Sequence, residues 1–435
     1  MKLSKLHIEE YRHLENLYFD FTYPADYKDK TKAGKPLDKI CFIGQSATGK
    51  TGLLELIYNL SNSLLSVHVA NNRSLSLPIK SDYSSELYGE ILFTINDNII
   101  NQKHKEVTYK NQKYFFENFS GTLDSLVPES DKKNIYYFKS NIISDKNIDI
   151  FTKNPIDLNE KHNEDLLLLA VHFHSKNSYG NTFNDNVDEK IWLYLISEIL
   201  EYRKNFTQKM SELIHKGLLS NPSKLDSEYK KWQKENPNEL EDFAKKFNPI
   251  IEKLNLEVDL VNTEYSIPIK NKKTDEVIPI QNTSTGTKGL LLSFLPLFKL
   301  DTKDSIILID EPERSLYPDM QMDLMDHYQN LAPEAQFIVA THSPFIAASF
   351  EPEERFILYF DEEGKVAIRS GKSPIGDDPN DMLKNDFAVN YYNKYGEAAY
   401  KQYLNLKEQI TKENDPNKKK KLLLETVKLG DTYNF

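Results

Sequence analysis

An eight-residue segment near the start of the chain has the residue types and spacing needed to bind phosphate groups. Residues 44–51 read GQSATGKT and fit the pattern G-x-x-x-x-G-K-[ST]. Gly44 and Gly49 allow backbone angles that turn successive N–H groups toward phosphate oxygens. Lys50 adds a positive charge and Thr51 offers a hydroxyl to Mg²⁺, so we predict that this segment binds a nucleotide. The predicted nucleotide-binding residues are Gly44, Gln45, Ser46, Ala47, Thr48, Gly49, Lys50 and Thr51.

Two carboxylates and a histidine follow apolar runs later in the chain. Ile306–Ile309 are apolar without alternation, as in a parallel strand buried on both faces, and lead directly into Asp310 and Glu311. A second apolar run, Phe337–Ala340, leads into His342 after one further residue. Open α/β sheets bind ligands at the carboxyl ends of their strands. We therefore predict that these three polar side chains meet at one edge of a sheet.

A third group of polar residues stands immediately before an apolar helix. Ser284, Gly286 and Lys288 precede the run GLLLSFLPLFKL. A helix N-terminus with a small, hydrogen-bonding loop is suited to an anion. An ordinary serine or threonine helix cap explains the same residues when they are considered alone. Their position ahead of Asp310 favours the first interpretation, and we predict that all three bind nucleotide.

Several short strands are needed to position the N-terminal residues. Leu3–Ile8 and Leu17–Phe21 are predicted to be two strands joined by a turn, and Ile40–Ile43 a buried strand ahead of the phosphate-binding segment. Residues 84–114 alternate between apolar and polar types, which predicts an antiparallel meander beside that strand. Ile135–Phe138 is predicted to be another short buried strand.

The middle of the chain differs in character. Asp188–Leu219 is predicted to be one long amphipathic helix, and Pro222–Phe247 to form one or two more, giving an arm or cap. Short strands are predicted to return at Leu256–Leu260, Tyr265–Ile269 and Val277–Ile280.

Together these elements predict an α/β protein. The predicted architecture is a parallel sheet that carries the phosphate-binding loop (P-loop, Gly44–Thr51), plus an antiparallel β meander. An α-helical insertion and a helical C-terminal tail over Asn390–Leu429 complete it. The predicted units are an N-terminal lobe with the P-loop (1–150), the helical insertion (151–255), a C-terminal lobe (256–375) and the tail (376–435).

Composition narrows the class of protein and its partners. The 435 residues include 28% charged and 39% hydrophobic types, which is typical of a globular protein. The net charge of −11 disfavours nucleic acid and anionic membranes as partners, so DNA binding would need a local basic face. Cys41 is the one cysteine, which excludes a disulfide framework and is typical of a reducing compartment. We find no apolar run of membrane-spanning length and no signal-peptide core, and predict a cytoplasmic protein.

The linear order of the motifs resembles that of ABC-type ATPases. A phosphate-binding loop is followed by a Ser-x-Gly-x-Lys helix start, a strand ending in Asp-Glu and a strand ending in histidine. The opening MKLSKLHIEEYRHLENLYFDF and the segments EPERSLYPDMQ and THSPFI are similar to one branch in particular. That branch includes SMC proteins, RecF and the ATPase half of the overcoming-lysogenization-defect nucleases. The resemblance covers residues 1–150 and 256–375, and the helical insertion stands where SMC proteins carry their coiled coil.

The resemblance implies a role for each residue near the phosphate-binding loop. Asp310 and Thr51 are implied to hold Mg²⁺, and Glu311 to orient and polarise the attacking water. His342 is implied to contact the γ-phosphate of ATP. The implied catalytic residues are therefore Glu311, His342 and Lys50.

The resemblance also implies that two chains act together. Ser284 and Gly286 are implied to cap the γ-phosphate bound by a second subunit, so that two nucleotides are sandwiched in a head-to-tail dimer. Ser315–Pro318 is implied to form the loop that crosses between the sites.

The sequence departs from the family pattern in three respects. The segment Thr283–Gly286, which stands at the position of the family's signature motif, lacks that motif's leading leucine and paired glycines. Ala47 stands where relatives often have glycine. No glutamine can be matched to the family's Q-loop.

Standalone chains of this size and design resemble the ATPase components of bacterial antiphage systems such as Septu, retron-associated cassettes and PARIS. The resemblance implies an ATP-binding and hydrolysing sensor or scaffold that controls a separate effector nuclease or toxin, because we can place no nuclease motif in the tail. The alternative is a RecF/SMC-like DNA repair or chromosome-maintenance ATPase that clamps DNA, with an affinity that falls steeply with salt. A nucleotide-binding interaction module with negligible turnover is a third interpretation.

Overall fold

The computed structural model describes residues 1–66, 88–95, 98–103, 106–115, 133–152, 168–170, 172–173, 179–262, 264–389 and 394–433. Its strands are β1 (Lys2–Tyr11), β2 (Leu14–Asp20), β3 (Lys39–Gly44), β4 (Tyr88–Ile95), β5 (Asn98–Lys103), β6 (Glu106–Tyr109), β7 (Gln112–Phe115), β8 (Asn134–Phe138), β9 (Tyr179–Phe183), β10 (Leu256–Val258), β11 (Ile269–Asn271), β12 (Val277–Ile278), β13 (Ile306–Asp310), β14 (Gln336–Thr341), β15 (Arg355–Phe360) and β16 (Val366–Ser370). Its helices include α1 (Lys50–Ser66), α2 (Asp145–Asp149), α3 (Glu189–His215), α4 (Pro222–Glu235), α5 (Glu239–Ile251), α6 (Thr285–Lys299), α7 (Pro318–Met322), α8 (Leu324–Leu331), α9 (Pro344–Ala347), α10 (Pro379–Asn385), α11 (Lys394–Lys412) and α12 (Pro416–Tyr433). Within these ranges no helix is both long enough and apolar enough to cross a bilayer.

The strands that are predicted to end at the phosphate site all belong to one seven-stranded sheet. Its order is β16-β15-β3-β14-β13-β8-β9, and every neighbouring pair is parallel except β15 with β16. The central strands β13, β14 and β8 are buried along their whole length, which explains why their sequences are apolar without alternation. The predicted strands at Ile40–Ile43, Ile135–Phe138, Ile306–Ile309 and Phe337–Ala340 are confirmed.

A second, six-stranded antiparallel sheet has the order β2-β1-β4-β5-β6-β7. The alternating residues therefore form the predicted meander, in β4 to β7, although residues 84–87, 96–97 and 104–105 lie outside the described ranges. Its predicted place beside the nucleotide strand is wrong, because the meander adds to β1 rather than to β3. Strand β1 pairs with β2 on one edge and with β4 on the other, for example Leu6 with Phe19 and with Ile91.

Alternate residues of the large sheet belong to different hydrophobic cores. Ile306 and Leu308 pack in a core with α1 and the six-stranded sheet. Ile307 and Ile309 pack in a core on the opposite face, with α3, α5 and α6. The large sheet is thus covered on both faces, as buried parallel strands require, and its strand ends are held in fixed positions. The predicted α/β class, with a parallel sheet, antiparallel strands and a helical C-terminal region, is confirmed.

Helices α3, α4 and α5 follow the predicted helical segments closely. The side chain of Asp188 caps α3 by accepting a hydrogen bond from the Lys190 backbone N–H, and the long helix ends at His215 rather than at Leu219. The second predicted segment is divided into two helices, α4 and α5. Helix α4 has no buried residue and packs on α3 through aromatic rings, including Trp232 with its ring centroid 5.8 Å from that of Tyr202.

A small sheet, β10-β11-β12, connects this helical region to the rest of the fold. The predicted strand at Tyr265–Ile269 is wrong for most of its length, because pairing begins at Ile269 and continues to Asn271. Pro268 has no backbone N–H to donate to a neighbouring strand, although its carbonyl accepts a hydrogen bond from Asp259 N–H at 2.8 Å.

A buried ion pair holds the segment after β16 against the large sheet. Arg355 Nε lies 3.2 Å from Asp386 Oδ2, and both side chains are fully buried. The other oxygen of Asp386 accepts a hydrogen bond from the Lys372 backbone N–H at 2.8 Å. Arg355 also donates to the carbonyl of Ser373. The predicted helical tail is present as two helices, α11 and α12, which pack against each other. Residues 390–393, where the tail was predicted to begin, lie outside the described ranges.

Candidate active site

The phosphate-binding segment connects the end of β3 to the start of α1. Gly44 has φ +156°, and a Cβ there would lie 2.3 Å from the carbonyl oxygen of Leu358 on the neighbouring strand β15. A side chain at this position is therefore excluded by the close approach of two backbones. Thr48 is fully buried and closes the turn by donating from Oγ1 to the carbonyl of Gln45 at 2.8 Å.

Ala47 has a backbone conformation that favours glycine. Its φ is +68°, in the left-handed region, where a side chain is strained by roughly 1 kcal/mol. This explains why glycine suits the same position in relatives. The loop nevertheless closes in this chain with alanine at this position.

Lys50, the first residue of α1, folds back over the loop that precedes it. Its Nζ donates to the carbonyls of Gly44 at 2.9 Å and Gln45 at 3.0 Å, and only 6% of the residue is exposed. Burial lowers the pKa of Lys50 to about 8, so its ammonium is incompletely compensated. The first turn of α1 contains no acidic residue to neutralise this charge. The arrangement suits an incoming phosphate group.

Thr51 and Asp310 are brought into contact although they are distant in sequence. Thr51 Oγ1 donates toward the carboxylate of Asp310, 3.0 Å from Oδ2 and 3.2 Å from Oδ1. Burial raises the pKa of Asp310 to about 6, with the negative charges of Glu311 and Glu313 contributing. A buried carboxylate beside a hydroxyl supplies the oxygen ligands that Mg²⁺ prefers, and the cation would relieve the repulsion. These residues therefore fit a magnesium ion.

Glu311 directly follows β13 and adopts a left-handed conformation, with φ +52°. Its backbone N–H still donates to the carbonyl of Ala340 at 2.9 Å, so the residue is fixed to β14 while the strand direction is broken. Such strain in a non-glycine residue often marks a functional position. The structure thus brings Glu311 to the same sheet edge as Asp310, as the strand pattern predicts.

His342 follows β14 at the same edge and is linked to Glu313. The His342 backbone N–H donates to Glu313 Oε1 at 2.8 Å. Partial burial, together with the positive charge of Lys50, lowers the pKa of His342, and burial raises the pKa of Glu313. Glu313 has no role in the predicted site. Its position two residues after Glu311 in the Glu-Pro-Glu run was the available signal.

The third predicted group lies at the N-terminus of α6, where Gly286 borders the same cleft as Asp310 and Glu311. Ser284 caps α6 by accepting from the Thr287 backbone N–H at 3.1 Å, so the helix-cap interpretation is correct as a local description. A Cβ on Gly286 would lie 2.5 Å from the carbonyl oxygen of Ser315, so glycine is needed for this close approach. Lys288 lies in the first turn of the same helix, which contains no acidic residue. Among the described residues, no hydrogen bond or ion pair joins this group to residues 44–51.

Replacing Asp310 with asparagine is expected to stabilise the nucleotide-free protein. Folding raises the Asp310 pKa from 3.8 to about 6, so its contribution to stability is present below pH 3.8 and is lost as the pH rises through 6. At pH 7.5 we expect Asp310→Asn to raise the free energy of unfolding by about 1–2 kcal/mol, with a smaller gain at pH 4.5. Urea unfolding at both pH values measures this difference. Asp319→Asn, at a half-exposed site, is the control, and an equal gain at both pH values for Asp310→Asn would contradict the assignment.

Comparison with known proteins defines the class of this chain. Residues 1–347 match the family described as the AAA ATPase domain. The chain belongs to that family and is an ATPase.

Individual relatives were found in two further comparisons. A 71-residue stretch is 32% identical to the Septu protein PtuA of Bacillus thuringiensis, which is 16% of this chain and 18% of the length of that relative. An SMC head bound to the C-winged helix domain of ScpA has a TM-score of 0.43 and 14% identity, covering 85% of this chain and 97% of that one. The SMC head domain from Thermotoga maritima has a TM-score of 0.41 and 12% identity, covering 86% and 100%. The predicted ATPase is confirmed by the family match. The short stretch shared with the Septu protein PtuA agrees with the predicted resemblance to Septu components.

Proposed function

We propose that this chain is the ATP-dependent sensor or scaffold subunit of a bacterial antiphage defence system, and that it controls a separate effector, a nuclease or toxin, in the cytoplasm. The observation that carries the proposal is the match to the Septu protein PtuA, in a chain that belongs to an ATPase family. The match spans a small part of both proteins, so the defence role and the effector are inferences from this likeness.

ATP is the proposed substrate at the edge formed by β3, β13 and β14. Lys50 and the loop N–H groups bind the phosphates. Thr51 and Asp310 would hold Mg²⁺, which would supply positive charge next to the transferred phosphoryl group. Glu311 orients and polarises the attacking water, and His342 contacts the γ-phosphate. Support comes from the convergence of these side chains from separate strands and from the perturbed pKa values of Lys50 and Asp310.

We assign Ser284, Gly286 and Lys288 to the nucleotide of a second subunit. Support comes from the position of the α6 N-terminus against Ser315, in the segment predicted to cross between sites, and from the lack of a direct polar contact with residues 44–51 among the described residues. Two chains arranged head to tail would then enclose two ATP molecules. Nucleotide binding thereby becomes a change in assembly that an effector can detect.

A phage challenge tests the proposed function. The chain and the gene beside it at its native locus are expressed together and separately in a phage-sensitive host, and plaque formation is counted. We expect protection only when both genes are present, and its loss when Lys50→Ala removes the phosphate-binding charge. Lys272→Met, which removes a surface ion pair with Glu252, is the control that should keep protection. Protection that survives Lys50→Ala, or that never depends on the second gene, would contradict the proposal.

A further inference from the structure

Glu55 lies one helical turn after Thr51 in α1 and contacts two cationic side chains. Its Oε2 is 2.9 Å from Arg12 Nη2, and its Oε1 is 3.1 Å from Lys139 Nζ. Burial opposes ionisation of the carboxyl, but the contacts with Lys139 and Arg12 lower the pKa of Glu55 below its ordinary value. One carboxylate is therefore shared by two cations. This triad keeps a net positive charge one turn away from the residues that fit magnesium.

Strand register places Lys139 beside the magnesium-site carboxylate. Phe138 of β8 pairs with Ile309 of β13 in a parallel ladder, so the next residue on each strand is Lys139 and Asp310 respectively. Residues in alternate positions share a face, and Tyr137 belongs to the core that contains α1. The Lys139 ammonium lies 5.3 Å from the ring centroid of Tyr137, on that same face.

The backbone around Lys139 is fixed from both sides. The Lys139 N–H donates to the carbonyl of Phe183 on β9 at 2.9 Å. The carbonyl of the next residue, Ser140, accepts from Arg314 Nη1 at 2.7 Å. Because the main chain is held at both points, a change of partner at this position involves the flexible side chain alone.

The ion pair between Lys139 and Glu55 is suited to exchange. The two side chains are 31% and 25% exposed, and partly exposed pairs of this kind are weak. A terminal phosphate carries more charge than a carboxylate and offers more acceptor oxygens to an ammonium group. Glu55 would retain Arg12 after losing Lys139, so the exchange leaves no buried carboxylate without a cation.

We propose that Lys139 is a phosphate-binding residue of the ATPase site, and that its ammonium leaves Glu55 for the terminal phosphate when ATP binds. This inference rests on the proposed ATP site between the P-loop and Asp310. It assigns a role to a residue that lies outside the sequence motifs described above.

Calorimetric titration of the purified full chain with ATPγS and with ADP, both with Mg²⁺, tests the inference. We expect Lys139→Met to weaken ATPγS binding by about tenfold or more and ADP binding by less than about twofold. Lys139→Arg, which keeps the charge, should bind ATPγS within about threefold of wild type. Lys272→Met is the matched surface control and should change neither affinity.

The variant Glu55→Gln separates a ligand from a structural anchor. If Lys139 binds phosphate, removing its competing carboxylate leaves ATPγS affinity unchanged or higher. If Lys139 only anchors Glu55, then Glu55→Gln and Lys139→Met weaken binding alike. That result, or equal losses for ATPγS and ADP in Lys139→Met, would overturn the inference. Wild-type protein that binds neither nucleotide would instead overturn the proposed ATP site itself.

Discussion

Replacing Glu311 with glutamine is expected to slow ATP hydrolysis by at least about 100-fold while ATP stays bound, because a positioned general base contributes about that much or more. Glutamine has the same shape and can keep the left-handed backbone found at this position. It cannot accept a proton from the attacking water. The lost rate should therefore appear in kcat, with nucleotide affinity changed by only a few fold.

Glu313→Gln supplies a closely matched control for that experiment. It makes the same chemical change two residues away and keeps an oxygen that can accept the hydrogen bond from the His342 N–H. We expect its turnover to stay within about tenfold of wild type. The rate of phosphate release at saturating ATP is measured for both variants. A Glu311→Gln rate close to that of Glu313→Gln would show that Glu311 is not the base, and near-background rates in wild type and both variants would favour a binding module without turnover.

Much of the fold could be predicted because its evidence is local. Ile40–Ile43 and Ile306–Ile309 are short apolar runs followed directly by polar motifs, and both are strands of the parallel sheet. The Ser284 cap is equally local, since a serine ahead of an apolar helix can satisfy a free backbone N–H. Where local evidence misled, as at Tyr265–Ile269, an alternating pattern was interrupted by Pro268, which cannot donate to a ladder.

The composition of the site could be predicted only in part, because its contacts are long-range. Thr51 and Asp310 are separated by 259 positions, and their pairing could be inferred because each belongs to a motif with a known partner type. Lys139 and Glu55 are separated by 84 positions and belong to no motif. Only the sheet register and the helix position bring that pair together. The sheet that the meander joins could not be predicted either, because its pairing with β1 is also a long-range contact.

Mixing two inactive variants is expected to restore ATPase activity. Lys50→Ala removes the phosphate-binding charge. Ser284→Asp keeps a side-chain acceptor for the α6 cap and places a negative charge where we assign the partner's γ-phosphate. In the proposed head-to-tail dimer, each variant alone would have both sites defective. A mixed dimer contains one site with an intact P-loop from one chain and an intact Ser284 from the other. Gly286 is unsuitable for this purpose, because any side chain there would collide with Ser315.

The rate of ATP hydrolysis by this equimolar mixture is the most direct test of the claim that the unit of activity is two chains. The variants are purified separately, mixed without nucleotide and then given Mg²⁺ and ATP, with Ser284→Asn as an uncharged cap control that should stay active. Random pairing makes half of the dimers mixed, each with one intact site, so the account predicts about a quarter of the wild-type rate. A mixture no faster than its two components would contradict it, because Ser284 would then act within its own chain or not at all.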